Sequence, residues 1–397
     1  MCTLKIFSGL SFKEKAKTLL YALLGIQKRY EIPKDWNEWK ITVLIPAYNE
    51  SGSIENTIKS IQAQTIFSSR VGPEVKILVV DDCSSDNTGS IAKRAGATVM
   101  RTPKNTGTKA QAQNYALKQM RADEKCIVVT IDADTILDSD ALEKIVLPLQ
   151  DDNVVSACGF VIPQRIKTFW ERARFIAYIF DISIAKHGQS FVGTPLVSSG
   201  CFSAYKVKVL KDYGFFSERT MVEDMDLTWT QLLDKGSGKK PKQRVVLVED
   251  ATCYPIDPPT YKIYKAQMSR WLRGFLQVIE QHKFAIFKRP SLAFFALWNL
   301  IEGILSPLVV VMFVYSLLKT GFNSRVALYL VVFWISGLSI VIVSSLIVGF
   351  RKRKIVKVIT SLPCYFLVVP VNAYMFWYAL WKQWILREKL MVWEKGH

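Results

Sequence analysis

Near residue 290 the hydrophobic pattern of this chain changes, and no single soluble domain accommodates both sides of the change. Up to about Lys288 apolar and polar residues alternate as in a globular protein, and from Ser291 onward long apolar runs dominate. Leu292 to Leu318 and Val326 to Phe350 are each long enough to cross the ~30 Å hydrocarbon core of a bilayer. Arg351-Lys352-Arg353-Lys354 follows the second run directly. That cluster belongs on the cytoplasmic side, which makes the two runs a hairpin that starts and ends inside. A third stretch, Ile355 to Trp384, is interrupted by Pro363 and Pro370. One crossing would strand Lys382, Arg387 and Lys389 on the far side, against the charge rule. A re-entrant pair would keep them inside but has few residues for it, and both topologies stay open at this stage.

The charge balance agrees with a lipid neighbour. Lys and Arg number 52 against 34 Asp and Glu, a net charge of +18, and each basic residue near an anionic leaflet contributes roughly 1 kcal/mol of attraction. No nucleic-acid-binding motif accompanies that charge, so no nucleic-acid partner is expected. The seven cysteines include no CxxC pair, which indicates neither a zinc site nor a disulfide framework. Reduced, buried thiols fit a catalytic part facing the cytoplasm. The N-terminus does not read as a signal peptide, because Lys13, Glu14, Lys15 and Lys17 interrupt its apolar residues. Phe12 to Ile26 instead places Ala16, Leu19, Leu20, Leu23 and Leu24 on one side of a helix, lying either on the membrane or against the soluble domain.

Strands and helices alternate from Ile41 onward. Ile41 to Pro46, Val75 to Val80, Thr98 to Met100 and Cys126 to Ile131 read as strands. Ser53 to Gln62, Asn87 to Ala95, Lys109 to Met120 and Ser139 to Leu149 read as helices. This spacing predicts an α/β domain with a parallel, doubly wound sheet, whose ligands sit beyond the carboxyl ends of strands. Ile166 to Lys186 carries Trp170, Phe175, Ile176, Ile179 and Phe180 among basic residues and is read as an interface helix in preference to one packed on the sheet. Lys235 to Lys242 reads as a solvated basic turn.

Five short motifs fall in order on this pattern: Pro46-Ala47-Tyr48-Asn49-Glu50, Asp81-Asp82, Asp132-Ala133-Asp134, Glu223-Asp224 and Gln267-Met268-Ser269-Arg270-Trp271. Asp132 and Asp134, two carboxylates two residues apart at a strand end, suit one hard cation such as Mg²⁺ or Mn²⁺, shared with substrate phosphates; capping of the next helix is the ordinary structural alternative. Asp81 and Asp82 either accept a hydrogen bond from a nucleobase imide or cap the following helix. Tyr48, between Pro46 and Glu50, offers a face for stacking a base. Lys109 and Asn114, on a helix whose N-terminus points to the same edge, suit phosphate and ribose contacts. Glu223 and Asp224 begin a helix, where they either complement its dipole or supply a general base for an acceptor hydroxyl. One carboxylate suffices for inverting transfer, whereas hydrolysis needs two. Gln267 and Arg270 lie one turn apart; Arg270 suits bidentate phosphate binding, and Trp271 offers a flat face to a sugar or an anchor at the bilayer surface.

This set resembles the family 2 glycosyltransferases of the processive, membrane-embedded kind, the cellulose, chitin, hyaluronan and poly-N-acetylglucosamine synthases. The resemblance spans roughly Ile41 to Gln281 and implies a GT-A, Rossmann-like nucleotide-sugar-binding domain. It implies uracil recognition at Asp82, a metal at Asp132 and Asp134, Asp224 as base, donor contacts from Gln267 and Arg270, and an acceptor contact from Trp271. Lys109-Ala110-Gln111-Ala112-Gln113-Asn114 resembles the family's Lys-Ala-x-Ala-x-Asn, and Ser199-Gly200-Cys201 its acceptor loop. Val222 stands where the family has Thr, and no apolar span precedes the motifs. The expected organisation is an amphipathic region at 1–36, a catalytic domain at 37–258, an interface helix region at 259–290 and about three spans at 291–390. The expected activity is transfer of a hexose or N-acetylhexosamine from a UDP-sugar to a polysaccharide, or to a membrane glycolipid, by a multi-pass cell-membrane enzyme with its catalytic domain cytoplasmic. The sugar, the linkage and assembly into a homo-oligomer stay open.

Overall fold

The computed structural model describes residues 20–21, 23–68, 72–234, 243–320 and 325–388. The N-terminal amphipathic helix falls largely outside these residues, and the basic turn at 235–242 wholly so.

The strands are β1 (Lys40–Ala47), β2 (Glu74–Asp81), β3 (Thr98–Arg101), β4 (Cys126–Ile131), β5 (Ile136–Leu137), β6 (Val154–Val161), β7 (Phe202–Lys206) and β8 (Arg244–Tyr254). They form one sheet in the order β3-β2-β1-β4-β7-β6-β8-β5. The first four are mutually parallel, as their spacing predicts, and every residue of β4 is buried, the pattern of a strand covered on both faces. The sheet as a whole is mixed, which corrects the all-parallel expectation: β7 runs antiparallel to both β4 and β6, and β5 antiparallel to β8. Reversing β7 sets the end of β4 beside the start of β7, with Ile131 opposite Phe202. The residues just after β4 therefore meet the residues just before β7, and the Asp132 N–H donates to the Cys201 carbonyl at 3.4 Å.

The helices are α1 (Ile54–Gln62), α2 (Thr88–Arg94), α3 (Lys109–Leu117), α4 (Ala141–Val146), α5 (Phe169–Phe180), α6 (His187–Phe191), α7 (Val207–Asp212), α8 (Glu223–Leu233), α9 (Tyr261–His282), α10 (Pro290–Thr320), α11 (Arg325–Arg351) and α12 (Ile355–Leu380). A π-helical turn, Asp181–Lys186, links α5 to α6. Helix α5 starts on a complete capping box, with Thr168 accepting from the Glu171 N–H and Glu171 reaching back to the Thr168 N–H. Its Phe175, Ile176 and Ile179 join the main core, and its outer side packs along α12, where Arg172 donates to the Thr360 carbonyl at 3.3 Å. The helix thus packs against the core on one side and along an apolar helix on the other.

Helix α12 runs unbroken through Pro363 and Pro370, so the re-entrant pair does not form. Two helices among the described residues, Pro290–Val309 and Ile355–Ile385, are long and apolar enough to cross a membrane. The second sequence run contributes the shorter apolar segment Gly337–Arg351. These helices leave large apolar side chains outward, among them Leu318, Ile340, Phe350, Val356 and Leu367. The basic cluster after α11 closes onto the soluble domain. Arg351 pairs with the buried Glu249 of β8 and donates to the Leu23 carbonyl, and Lys352 donates to the Glu249 carbonyl at 2.9 Å.

Candidate active site

The loops after β1 and β2 are sewn together before any ligand is considered. Asn49 and Cys83 take positive φ, 54° and 58°, a conformation that costs a non-glycine residue energy and persists where surrounding bonds fix it. Asn49 accepts from the Ser85 N–H at 2.8 Å, its own N–H donates to Ser84 Oγ, and the Glu50 N–H donates to Thr88 Oγ1 at 2.7 Å. The Glu50 carboxylate accepts from Ser53, and Pro46 and Tyr48 stay half-buried at the mouth of this edge. Asp81 is buried against Arg101 at 2.5 Å and accepts from the Ser84 N–H. Asp82 accepts from Thr102 Oγ1 at 2.9 Å, the Thr106 N–H at 3.0 Å and Thr106 Oγ1 at 2.9 Å. Neither aspartate accepts from the helix that follows, whose N-cap is Asn87, so the capping alternative falls away. Asp82 instead orders the 102–108 loop that leads into α3.

Lys109 opens α3, where Thr108 caps the helix. Its ammonium contacts Asp132 and donates to the Gly200 carbonyl at 2.9 Å. Burial alone would push this lysine down; Asp132, Glu223 and Asp224 more than offset that and hold it above the ordinary lysine range. The other side of Gly200 faces Asp224, whose Oδ2 accepts the Gly200 N–H at 2.7 Å. One glycine therefore joins Asp224 at its nitrogen to Lys109, and through it Asp132, at its carbonyl. Its lack of a side chain matters, since a Cβ would lie 3.0 Å from Asp224 Oδ2 and 3.1 Å from Lys109 Nζ. Asp134 follows Asp132 on the same bend, accepts from Thr135 Oγ1 at 3.3 Å and is partly exposed. Ser199, the residue before Gly200, accepts from the buried Lys186 at 2.6 Å.

Asn114, expected at a phosphate or ribose, is bonded within the fold. Its amide donates to the Phe216 carbonyl and to Glu218, and its oxygen accepts the Phe216 N–H, in a buried position. It braces the loop before α8. Helix α8 begins with Val222 at its N-cap and no side-chain cap, the place where a threonine would have offered one. Val222 serves as packing: α9 approaches so closely at Gly274 that a Cβ there would lie 2.6 Å from Val222 Cγ1. Arg270, one turn before Gly274, thereby comes opposite Lys109 and Glu223 across a cavity of about 20 Å³. Glu223 is buried, and burial pushes its pKa up, Lys109 and Arg270 pull it down, and Asp224 raises it again, with a net upward shift.

The remaining motif residues face a different neighbour. Arg174 of α5 donates to Gln267 Oε1 at 2.8 Å and lies over the Trp271 ring, 4.7 Å from its centroid. The structure thus brings Lys109, Asp132, Gly200, Glu223, Asp224 and Arg270 together, and sets Gln267 and Trp271 around Arg174. Sequence reading missed Arg174, Lys186, Gly274 and Glu218. Arg174 lies one helical turn from both Trp170 and Tyr178, and Gly274 one turn after Arg270; those spacings were the available signals.

Residues 42–214 match the model of glycosyl transferase family 2. The chain is 29% identical over 338 residues to hyaluronan synthase of Streptococcus pyogenes, covering 79% of this chain and 74% of that one. It is 27% identical over 263 residues to poly-beta-1,6-N-acetyl-D-glucosamine synthase of Staphylococcus epidermidis, covering 65% of this chain and 60% of that one. Among solved structures, a mannosyltransferase from Pyrobaculum calidifontis in complex with GDP-Man and Mn²⁺ superimposes with a TM-score of 0.51 at 18% identity, over 92% of this chain and 97% of the other. That likeness identifies the fold as GT-A-like, a Rossmann-type α/β domain with a mixed sheet. Residues 42–214 thus form a glycosyltransferase family 2 domain.

Proposed function

We propose that this chain is a membrane-bound, inverting glycosyltransferase that moves a hexose or N-acetylhexosamine from a UDP-sugar onto a growing β-linked polysaccharide. The observation that carries the reading is the Gly200 peptide, which places Asp224 and the Lys109–Asp132 pair on its two sides. A base for the acceptor hydroxyl and a cationic, carboxylate-lined donor site are thus a single peptide unit apart. Asp224 accepts from the N–H groups of Gly200 and Met225, which aim its carboxylate. It takes the proton from the attacking hydroxyl. Lys109 and Arg270 hold the diphosphate; Tyr48 stacks on the base, beside Pro46 and Glu50; Asp82, through the loop it orders, and Asp81 shape the uracil site. Ser199, Gly200, Cys201 and Trp271 receive the acceptor. Asp132 and Asp134 fit Mg²⁺ or Mn²⁺, because they offer hard carboxylate oxygens beside each other at a strand end and leave substrate phosphates to complete the coordination. A cation held by Asp132 and Asp134 would supply positive charge to a departing diphosphate. The similarity to hyaluronan and poly-N-acetylglucosamine synthases favours a polymer over a membrane glycolipid as acceptor.

The membrane assignment is carried by α10 to α12. Only 22% and 17% of their two spanning windows are buried, whereas a soluble core helix of such composition would be covered. Arg351 and Lys352 dock on β8, so the basic end of α11 and the catalytic domain share one side, the cytoplasmic one by the positive-inside rule. Residues 37–258 are then the catalytic domain, 259–290 the interface region and 291–390 the multi-pass region. The test uses the full chain in lipid with a panel of UDP-sugars and either divalent cation, reading UDP release and product mass together. A ladder of masses rising by one sugar residue is expected. A single-sugar lipid product, or full turnover in excess chelator, would overturn the reading.

A further inference from the structure

Arg174 is a heavily engaged charged side chain outside the catalytic cluster. It is 6% exposed. Its guanidinium donates to Gln267 Oε1 at 2.8 Å and approaches Met268 Sδ at 3.1 Å, both on α9. Its Nε lies 3.6 Å from Asp257 in the loop after β8, too far for a hydrogen bond. It also lies over the rings of Trp271 and Tyr264, at 4.7 and 4.9 Å from their centroids. Tyr178, one turn along α5, donates to the same Asp257 at 3.1 Å, and Tyr264 donates to Asn372 of α12 at 2.7 Å. One buried cation therefore ties together α5, the loop after β8 and α9, and through Tyr264 the apolar helix α12.

We propose that Arg174 is a positioning residue for the acceptor platform: by covering one face of Trp271 and pinning Gln267, it fixes the plane in which the opposite face of Trp271 meets an acceptor sugar. The inference rests on the acceptor reading of Trp271. The chemistry calls for arginine. A planar, weakly hydrated guanidinium stacks on rings and directs several N–H donors in fixed directions at once, whereas a lysine ammonium is a strongly hydrated point charge that cannot do both. The arrangement also separates two functions on one helix. Arg270 faces Lys109 and Glu223, while Gln267 and Trp271 face Arg174, so loss of Arg174 disturbs the acceptor side of α9 and spares the donor side.

The experiment takes full-length protein in lipid nanodiscs and compares wild type, Arg174→Lys, Arg174→Lys with Asp257→Asn, and Trp271→Ala. UDP affinity is measured calorimetrically with Mn²⁺ present, and coupling is measured as sugar transferred per UDP released. Arg174→Lys is expected to bind UDP as wild type does, to keep hydrolysing UDP-sugar, and to lose coupling on the order of 10- to 100-fold, the scale on which a displaced positioning group acts. The double variant, which removes any stranded carboxylate, is expected to be equally uncoupled. Wild-type coupling in Arg174→Lys beside an impaired Trp271→Ala would overturn the proposal and leave the platform reading intact. Unchanged coupling in Trp271→Ala would remove the platform and this proposal with it. Parallel loss of UDP binding in Arg174→Lys, or recovery of coupling in the double variant, would show a scaffold role alone and overturn the proposal.

Discussion

The strand-end half of the site and the α9 half are held over different distances along the chain. Asp81 finds Arg101 20 residues on, and Asp82 finds Thr106 24 residues on. Gln267 finds Arg174 across 93 residues, and Tyr264 finds Asn372 across 108. The first half is made by consecutive βα units, each of which delivers a carboxylate at a strand end and a neighbouring loop to hold it. The second half exists only once α5, α8, α9 and α12 have packed. The difference predicts that changes in the first half abolish chemistry outright, while changes in the second half alter how the two halves register.

The largest effect belongs to the strand-end pair. Asp134→Asn should abolish turnover in lipid-reconstituted enzyme, and Asp132→Asn should do the same while also freeing Lys109 from its partner. Isothermal titration with Mn²⁺ and UDP provides the second readout, in which cation-dependent UDP binding should weaken in both variants. Metal-dependent binding at wild-type strength in Asp134→Asn would remove it from the cation site.

Next comes the base. Asp224→Asn should keep UDP-sugar affinity and lose about 10²- to 10⁴-fold in transfer rate, the usual scale for a general base. Because its carboxylate also accepts the Gly200 N–H, the amide should preserve the loop's position, and a crystal or cryo-microscopy structure of the variant should show Gly200 unmoved. Weakened donor binding at an unchanged rate would reassign Asp224 to the strand-end half.

These two halves were unequally legible in the sequence. Alternating apolar runs and their spacing placed Asp81, Asp82 and Asp132 at strand ends because a strand's buried pattern and its terminus are local properties. The reversal of β7 was not legible: Phe202-Ser203-Ala204-Tyr205-Lys206 is short, and its direction is set by its partners β4 and β6. The bracing bonds of Asn114 were not legible either, because motif spacing said which helix face it occupies and nothing about Phe216 closing over it. Arg174 and Gly274 escaped for the same reason, since each matters through a contact with a helix distant in sequence. Helix α12 shows the limit of punctuation by proline, since Pro363 and Pro370 sit inside a continuous helix, as apolar spans tolerate when neighbouring groups satisfy the freed carbonyls.

A smaller effect probes the register between the halves. Gly274→Ala would place a methyl 2.6 and 2.7 Å from the two Val222 methyls, and a β-branched side chain at a helix N-cap has little freedom to retreat. Overpacking of this kind costs about 1–3 kcal/mol and should push α9 away from the start of α8, separating Arg270 from Glu223. A fall in kcat/KM is expected, with both UDP affinity and transfer reduced. Val222→Ala in the same chain makes room and should restore much of the loss. If the double variant is worse than Gly274→Ala alone, close approach of the two helices is not what the glycine provides.

The mildest test uses acid and concerns the tie at the other end of the same helix pair. Asp226 of α8 is fully buried, accepts from Arg219 at 2.8 Å through both oxygens, and meets His282 Nε2 of α9 at 2.7 Å. Burial alone would raise its pKa, but the bonds from Arg219 and His282 more than offset that and hold the carboxyl well below its ordinary value of 3.8. The folded chain therefore keeps this group ionised to lower pH than the unfolded chain does. Its contribution to stability is complete above the ordinary carboxylate range and is lost as pH falls below it through the folded pKa. Hydrogen exchange on the full chain in lipid should be flat for the α8 and α9 amides from pH 7 to about 5, after correction for the intrinsic rate. Protection there should decline below about pH 4, the range where the unfolded carboxyl takes up its proton. In Asp226→Asn the protection should be lower at neutral pH and should lose that acid-dependent component. A variant that keeps the wild-type acid response would place the titrating group elsewhere, and the α8–α9 register would then rest on packing at Gly274 and Val222 instead of on this charge.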